Sequence, residues 1–294
     1  MTVTIFGSAI ADIVFRLPRL PGPGETLLGA AGAPLAGGKG LNQAIAAARD
    51  GADARFVGCV GRDEHGDLLR MALIAAGVNV AGLRGVDRAS GLACVCVDAE
   101  GQNQIAVSPG ANLQARAAQL PELRDDSILL LQMEVPPEEN ARAIARARAA
   151  GARVLLNLAP AAAMDRAALG GVDLLILNEG EAAWLGRQLG RTGDAAALNE
   201  VLGIGVAVTE GARGASVATR AGLIQVPAFA VGVVDSTGAG DAWCGVLAAA
   251  FHLGMPMELA VRRANAAGAL ACTRPGAAPA MPDSAAIDAL MGLD

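Results

Sequence analysis

An α/β fold with a mostly parallel sheet is predicted by three features of the sequence. Short apolar, β-branched runs alternate with helix-length segments of ten or more residues, the rhythm of βαβ units. Several of those longer segments stop on a glycine, as helices that return to a strand do. Of the 294 residues, 53% are hydrophobic, enough for strands covered on both faces.

Residues 3–6 read as the first strand, which ends at Gly7 and Ser8. A helix over 42–49 follows, stopped by Gly51. Strand 55–60 leads into helix 66–76, closed by Gly77. The rhythm resumes with strand 128–132, helix 138–150 with Gly151 behind it, and strand 154–158. Residues 174–177 and 206–209 are further short apolar strands, and helices over 241–253 and 257–273 follow. Two segments break the alternation. Residues 13–35 are extended and punctuated by Pro and Gly, and 91–108 read as a hairpin turning at 98–101. Both are expected outside the main sheet, as strands of a small β-lid over a site on the α/β body. One domain over 1–294 is expected, since no repeat or low-complexity linker interrupts it.

Composition removes several functional classes. Aromatic residues make up 2% and Tyr is absent, which argues against a surface that stacks bases. The net charge is -6 with no Lys/Arg cluster, so neither a nucleic-acid face nor a polybasic membrane patch is expected. The five cysteines are odd in number and fit no zinc spacing; they read as reduced thiols of a cytoplasmic protein. Two histidines exclude a multi-His metal site. No signal peptide is read at the N-terminus, and no apolar run is long enough to span a membrane.

The chemistry concentrates in a few motifs. Residues 234–241 (VDSTGAGD) follow an apolar run at 229–234 and open an apolar helix. Gly238, Ala239 and Gly240 let the backbone turn tightly and aim N–H groups at one point, where the helix N-terminus adds positive charge. That is an anion hole for a phosphoryl group, and Asp241 at its rim can take a proton from an attacking hydroxyl. A Gly-rich turn with an ordinary first-turn acid is the alternative. Residues 37–42 (GGKGLN) also open a helix. They are not a Walker A loop, because Gly40 follows Lys39. The glycines admit a ligand closely and Asn42 can bond a polyol in two directions, although a plain solvated loop accounts for them too. Asn178 and Glu181 follow the strand 174–177, where ligands bind in open α/β sheets and where a carboxylate could hold Mg²⁺ through water; an acidic helix start explains them as well. Glu134, after strand 128–132, raises the same question. Thr209, Gly211 and Gly214 form another strand-then-glycine turn that could hug a nucleotide. Asp12, just beyond the first strand, is either a sugar-binding carboxylate or a loop acid.

Taken together and in this order, the segments resemble the ribokinase-like (PfkB) carbohydrate kinase family over nearly the whole chain. GGKG-x-N at 37–42 resembles its first signature, and residues 235–241 its D-[ST]-T-G-A-G-D signature. Between them lie an LLLQ-x-E-x-P segment holding Glu134, the N-x-x-E of Asn178 and Glu181, and Pro109-Gly110-Ala111-Asn112. Residues 273–277 resemble its C-terminal end. The resemblance implies a three-layer fold with a small β-lid, and an ATP-dependent kinase acting on the primary hydroxyl of a small sugar, ribose first. It implies Asp241 as general base and Gly238, Ala239 and Gly240 as anion hole. Asp12, Gly38, Lys39, Asn42 and Glu134 would face the sugar. Asn178, Thr209, Gly211, Gly214, Gly240 and Asn265 would face ATP, and Glu181 would organise the Mg²⁺ shell. An activating monovalent cation, K⁺, would sit near Asp235, Thr237, Ala271, Arg274, Gly276 and Ala280, held largely by backbone oxygens.

Two positions depart from the family's pattern. Ile10 stands where an Asn usually precedes the sugar-binding Asp, and Asn265 where an adenine-contacting His often sits. A nucleoside kinase, or a kinase of fructose or 2-keto-3-deoxygluconate, shares the same catalytic motifs. A sugar- or nucleotide-sensing protein without catalysis would not need Asp241, and a dinucleotide-binding dehydrogenase would carry GxGxxG after its first strand, which is missing. The exposed lid strands are expected to pair between two copies of the chain as a homodimer.

Overall fold

The computed structural model describes residues 2–293 and contains two sheets. Its strands are β1 (Thr2–Phe6), β2 (Ile10–Arg16), β3 (Ala30–Ala31), β4 (Leu35–Gly37), β5 (Ala54–Gly61), β6 (Asn79–Val86) and β7 (Gly91–Val97). They continue with β8 (Asn103–Ser108), β9 (Ser127–Leu131), β10 (Arg153–Asn157), β11 (Leu174–Asn178), β12 (Gly205–Thr209), β13 (Ala215–Thr219) and β14 (Gly222–Val226). The helices are α1 (Lys39–Arg49), α2 (Glu64–Ala75), α3 (Pro137–Ala149), α4 (Arg166–Leu169) and α5 (Glu179–Leu189). After them come α6 (Ala195–Leu202), α7 (Ala239–His252), α8 (Met257–Ala271) and α9 (Ser284–Met291).

The large sheet runs β14-β13-β12-β11-β10-β9-β1-β5-β6. Seven of its strands are parallel, and β13 and β14 fold back antiparallel on the edge. Successive side chains of a strand point to opposite faces, so the apolar strands feed two cores. Val3, Ile5, Ile128 and Leu130 enter one with the helices α1, α7 and α8; Phe6, Leu129, Leu131 and Leu156 enter the other with α3, α5 and α6. Helices cover both faces, which makes three layers. Chain order reverses at β1, which lies between β5 and β9. In such sheets the crevice at the carboxyl ends of the strands beside the reversal is where ligands bind.

Helix α7 is buried from Asp241 to Phe251 without a break, because it lies against α1, α8, β1 and β9. A helix apolar all round belongs in a core. Gly245 makes this possible: a Cβ there would lie 2.4 Å from the Gln43 carbonyl oxygen of α1.

The smaller sheet runs β3-β2-β7-β8, with β4 also on β2. The β7–β8 hairpin occupies the second segment expected outside the main sheet. In the first, β2 begins already at Ile10, β4 ends at Gly37, and most of the Pro- and Gly-rich stretch between carries no strand. Asp12, Val14, Val95, Ile105 and Val107 share one face by register.

Other differences have physical reasons. Helix α1 starts at Lys39, not at 42, because the Lys39 N–H finds an acceptor in the Glu134 carboxylate at 2.9 Å. The run 229–234 forms no strand; Val233 and Val234 are 67% and 65% exposed. The sequence reading lacked the edge strands β6 and β14, whose Gly, Arg and Gln residues leave no continuous apolar run, the five-residue β13 beside β14, and the helices α4, α5, α6 and α9. Among the described residues no helix is long and apolar enough to cross a membrane.

Candidate active site

The carboxyl ends of β1, β9, β10, β11 and β12 deliver Ser8, Glu134, Asn157, Asn178 and Thr209 to one side of the sheet. The N-termini of α1 and α7 converge on the same side. Gly238 caps α7 at φ 78°, a left-handed turn that glycine adopts without strain. The first turn of α7 opens on a cleft lined by Lys39, Asn178, Glu181, Thr209, Gly240 and Asp241, with the Ala239 N–H donating to the Ser236 carbonyl at 3.2 Å.

Asp241 lies in the first turn of α7 and is 6% exposed. Its Oδ2 accepts from Asn42 Nδ2 at 2.9 Å, and its Oδ1 accepts from Gln43 Nε2 at 3.0 Å. Both donors come from the first turn of α1. Asn42 Oδ1 is buried and has no hydrogen-bond partner among the described residues. A buried acceptor without a partner is costly unless a ligand or water supplies a donor.

Glu134 closes the other side. Its Oε2 accepts from the Ser8 hydroxyl and from the Lys39 N–H. Asp12, on β2, lies near Glu134 and Asp241. Burial, and then those two negative charges, push its carboxyl from the usual 3.8 up to about 7. Lys39 lies among the acids: the Asp241 carboxylate above all, with Glu134 and Glu181, holds its ammonium above the usual range against the opposing effect of burial. This arrangement can bind hydroxyls on one side, neutralise phosphate charge at Lys39 and the α7 amides, and accept a proton at Asp241.

Glu181 and Asn178 form a capping box at the start of α5: Asn178 Oδ1 accepts from the Glu181 N–H at 2.9 Å, and Glu181 Oε2 from the Asn178 N–H at 2.8 Å. Burial raises the Glu181 carboxyl, opposed by the Asn178 N–H and by Lys39. Gly211 and Gly214 bracket a 3₁₀ turn after β12. Asp235 ties two loops together, accepting from the Thr237 N–H at 2.9 Å and from the Gly276 N–H at 2.8 Å. Burial opposes its ionisation, but the bonds from Thr237 and Gly276 together hold its carboxyl below the usual range. Ala271 ends α8, Ala280 lies buried in a short 3₁₀ turn, and Arg274 is exposed.

Asn265 is engaged within the fold. Its two N–H donors are engaged by the Val226 and Pro227 carbonyls at 2.9 and 3.1 Å, and its Oδ1 accepts from Trp243 Nε1 at 2.8 Å. Its side chain therefore joins α8 to the end of β14 and to α7. Asn112, from the Gly-Ala-Asn segment, is likewise internal: it accepts from the Ala9 N–H and donates to the Ala9 carbonyl, both at 2.9 Å. Sequence reasoning missed Gln43, Gln132 and Asn157, three amides joined to one another beneath Asp241. The one available signal was an amide ending the apolar LLL run at 129–131 and another beside Asn42 in an Ala-rich helix.

Comparison with known proteins agrees with this geometry. The family model described as "pfkB family carbohydrate kinase" matches residues 2–284. The ribokinase of Bacillus subtilis (strain 168) is 32% identical over 296 residues, covering 98% of this chain and 99% of that one. The crystal structure of ribokinase from Thermotoga maritima superposes with a TM-score of 0.90 at 31% identity, covering 99% of both chains. The structure of Arabidopsis thaliana ribokinase complexed with ribose and ATP superposes at 0.88 and 32%, over 100% of this chain and 99% of that one. With both signatures at one cleft and the family model spanning nearly all of its length, the chain belongs to the pfkB family of carbohydrate kinases.

Proposed function

We propose that this sugar kinase transfers the γ-phosphate of ATP to the primary hydroxyl of D-ribose. The observation that carries the reading is Asp241, a buried carboxylate at the N-terminus of α7, held by two amides and facing a cleft that also presents Lys39. Full-length likeness to a ribokinase complexed with ribose and ATP supports ribose as the acceptor. In this reading Asp12, Glu134 and the free Oδ1 of Asn42 receive sugar hydroxyls, with Gly38 and Lys39 beside them. Asp241 takes the proton of the attacking hydroxyl, and the amides of Gly238, Ala239, Gly240 and Asp241 stabilise the charge that develops on the phosphoryl oxygens. Asn178, Thr209, Gly211 and Gly214 lie along the nucleotide side.

The oxygen donors fit a hard cation. Among the described residues no group of three or more His, Cys, Asp or Glu side chains converges to hold a metal directly. Glu181 keeps Oε1 free of its capping bond and would hold Mg²⁺ through water. Mg²⁺, when bound, neutralises charge on the β- and γ-phosphates. Both oxygens of Asp235 already accept N–H donors, so K⁺ would rest mainly on carbonyl oxygens of the 235–237 and 271–280 segments.

The small sheet serves as the lid, with Asp12 carried on its underside. It closes over the sugar and keeps water from the phosphoryl group. Leu35, Ile105 and Val107 are 39%, 55% and 49% exposed on this sheet, an apolar surface that a second copy of the chain would cover in a homodimer. Five free thiols and the use of ATP suit a cytoplasmic enzyme. Ile10 favours a second reading within the class. It is 3% exposed, two residues from Asp12 on the same strand face, and offers no hydrogen bond to a sugar hydroxyl, which suits a less hydroxylated ring or a nucleoside.

The test is a panel of ribose, fructose, 2-keto-3-deoxygluconate, adenosine and cytidine with coupled ADP detection. Ribose should give the highest kcat/KM. A preference for a nucleoside or a deoxy sugar would replace the ribose assignment, and no turnover with any acceptor would remove the kinase reading.

A further inference from the structure

We propose that Gln43 is a positioning residue that anchors one oxygen of Asp241 and leaves the other for the acceptor alcohol. The inference rests on the reading of Asp241 as the base. Gln43 is fully buried in the first turn of α1. Its Nε2 donates to Asp241 Oδ1 at 3.0 Å and to Asn157 Oδ1 at 3.1 Å, and its Oε1 accepts from Gln132 Nε2 at 2.7 Å. An ionised carboxylate only accepts, so the Gln43 NH₂ must face it. The Gln132 NH₂ on the opposite side demands the same orientation. The Gln43 amide cannot turn over without leaving buried donors and acceptors unpaired.

Asn42 differs although it is the next residue. Its Nδ2 donates to Asp241 Oδ2, while its Oδ1 has no partner among the described residues. Asn42 can therefore trade its bond for one to a sugar hydroxyl without stranding another buried group. Oδ1 of Asp241 is held from behind by a saturated amide, and Oδ2 becomes the oxygen whose donor can be replaced by the alcohol. The other charged or titratable groups facing Asp241 are Lys39 on α1, Asp12 on β2, Glu181 on α5 and Cys244 on α7. All of them remain when Gln43 is changed.

The test is Gln43→Leu, similar in size but without a donor. Its kcat should fall about 10- to 100-fold, the value of a hydrogen bond to a charged group, with both KM values little changed, the pattern of an interaction lost in the transition state and not in substrate binding. The acid limb of kcat against pH should move up in the variant, because a donor to the ionised form is removed. Gln43→Glu should restore turnover partly at low pH, where the new carboxyl carries a proton to donate, and lose it as pH rises. If Gln43→Leu does not fold, Gln132→Met, which removes only the anchor of the Gln43 carbonyl, is read for the same limb shift. A folded variant with an unmoved limb and near wild-type kcat overturns the inference. Asp241→Asn separates the two readings. If it still turns over, the base reading fails whatever Gln43 does; if it is inactive while Gln43→Leu leaves the limb of the wild type in place, only the positioning role fails.

Discussion

Asn42 Nδ2 and Asp241 Oδ2 lie 2.9 Å apart although 199 residues separate them in the chain. The bond joins the first turns of α1 and α7, the two helices opened by the glycine-rich motifs. Each motif alone is compatible with an ordinary turn. What distinguishes them is that α7 is buried from Asp241 to Phe251 and packs on α1 through Gly245, so neither helix can shift its first turn independently. The base and its amide donors are thus placed by core packing, and surface loops contribute little to their geometry.

Asp241→Asn should lower kcat by about 10²–10⁴, the usual value of a general base. Binding of ATP and sugar, measured by calorimetry, should change little. The fold should persist, since the new amide can donate to Asn42 Oδ1, which has no partner among the described residues, and still accept from Gln43. A kcat within tenfold of wild type would sink the role given to Asp241.

How far the sequence could have led is visible in individual residues. Asp241, Lys39 and Asn42 were legible because runs of small residues before an apolar helix have one obvious use. The parallel strands were legible as well, being buried on both faces and therefore continuously apolar. Gln43, Gln132 and Asn157 were not, because a single amide at the end of an apolar run has no signature. Only the order β10-β9-β1, set by pairing between distant segments, brings the three together. Asn265 was placed beside the nucleotide by position, and nothing in its neighbours showed that Trp243, Val226 and Pro227 already engage its amide.

Asp12 should make stability pH-dependent. Its folded-state value of about 7 lies above the usual 3.8, so the native chain holds a proton that the unfolded chain has released. Stability falls as pH rises from about 4 to about 7, by an amount on the order of 4 kcal/mol before coupling to its neighbours is counted. Asp12→Asn cannot ionise, so its thermal melts should match wild type near pH 4 and exceed it near pH 8. Parallel Tm–pH curves for the two proteins would contradict this. The ionised form is also the better acceptor for sugar hydroxyls, and sugar affinity should improve as pH passes through 7.

Glu181→Gln should separate charge from capping. The amide can still accept from the Asn178 N–H, so the start of α5 is preserved. Removing the charge should raise the Mg²⁺ concentration for half-maximal activity about tenfold, the cost of losing one supporting partner of a metal site. Glu181→Ala should add a loss of about 1 kcal/mol in stability, the value of a helix cap. An unchanged Mg²⁺ dependence in both variants would show that Glu181 only caps the helix.

Two glycines of α7 should respond in opposite ways to the same added methyl group. A Cβ on Gly245 would stand 2.4 Å from the Gln43 carbonyl oxygen and 2.7 Å from Ala46 Cβ, so Gly245→Ala must push α1 and α7 apart. Such overpacking costs about 1–3 kcal/mol, and kcat should fall as well, because Gln43 and Asp241 ride on those helices. A Cβ on Gly240 meets nothing within 4 Å and points into open space at the cleft. Alanine favours a helix over glycine by up to about 1 kcal/mol, so Gly240→Ala should keep or raise the melting temperature. The methyl group would nevertheless occupy the room where the phosphoryl oxygens must approach the amides, and kcat/KM for ATP should drop. A stable Gly240→Ala with wild-type kinetics would place the transferred phosphate elsewhere than at the N-terminus of α7.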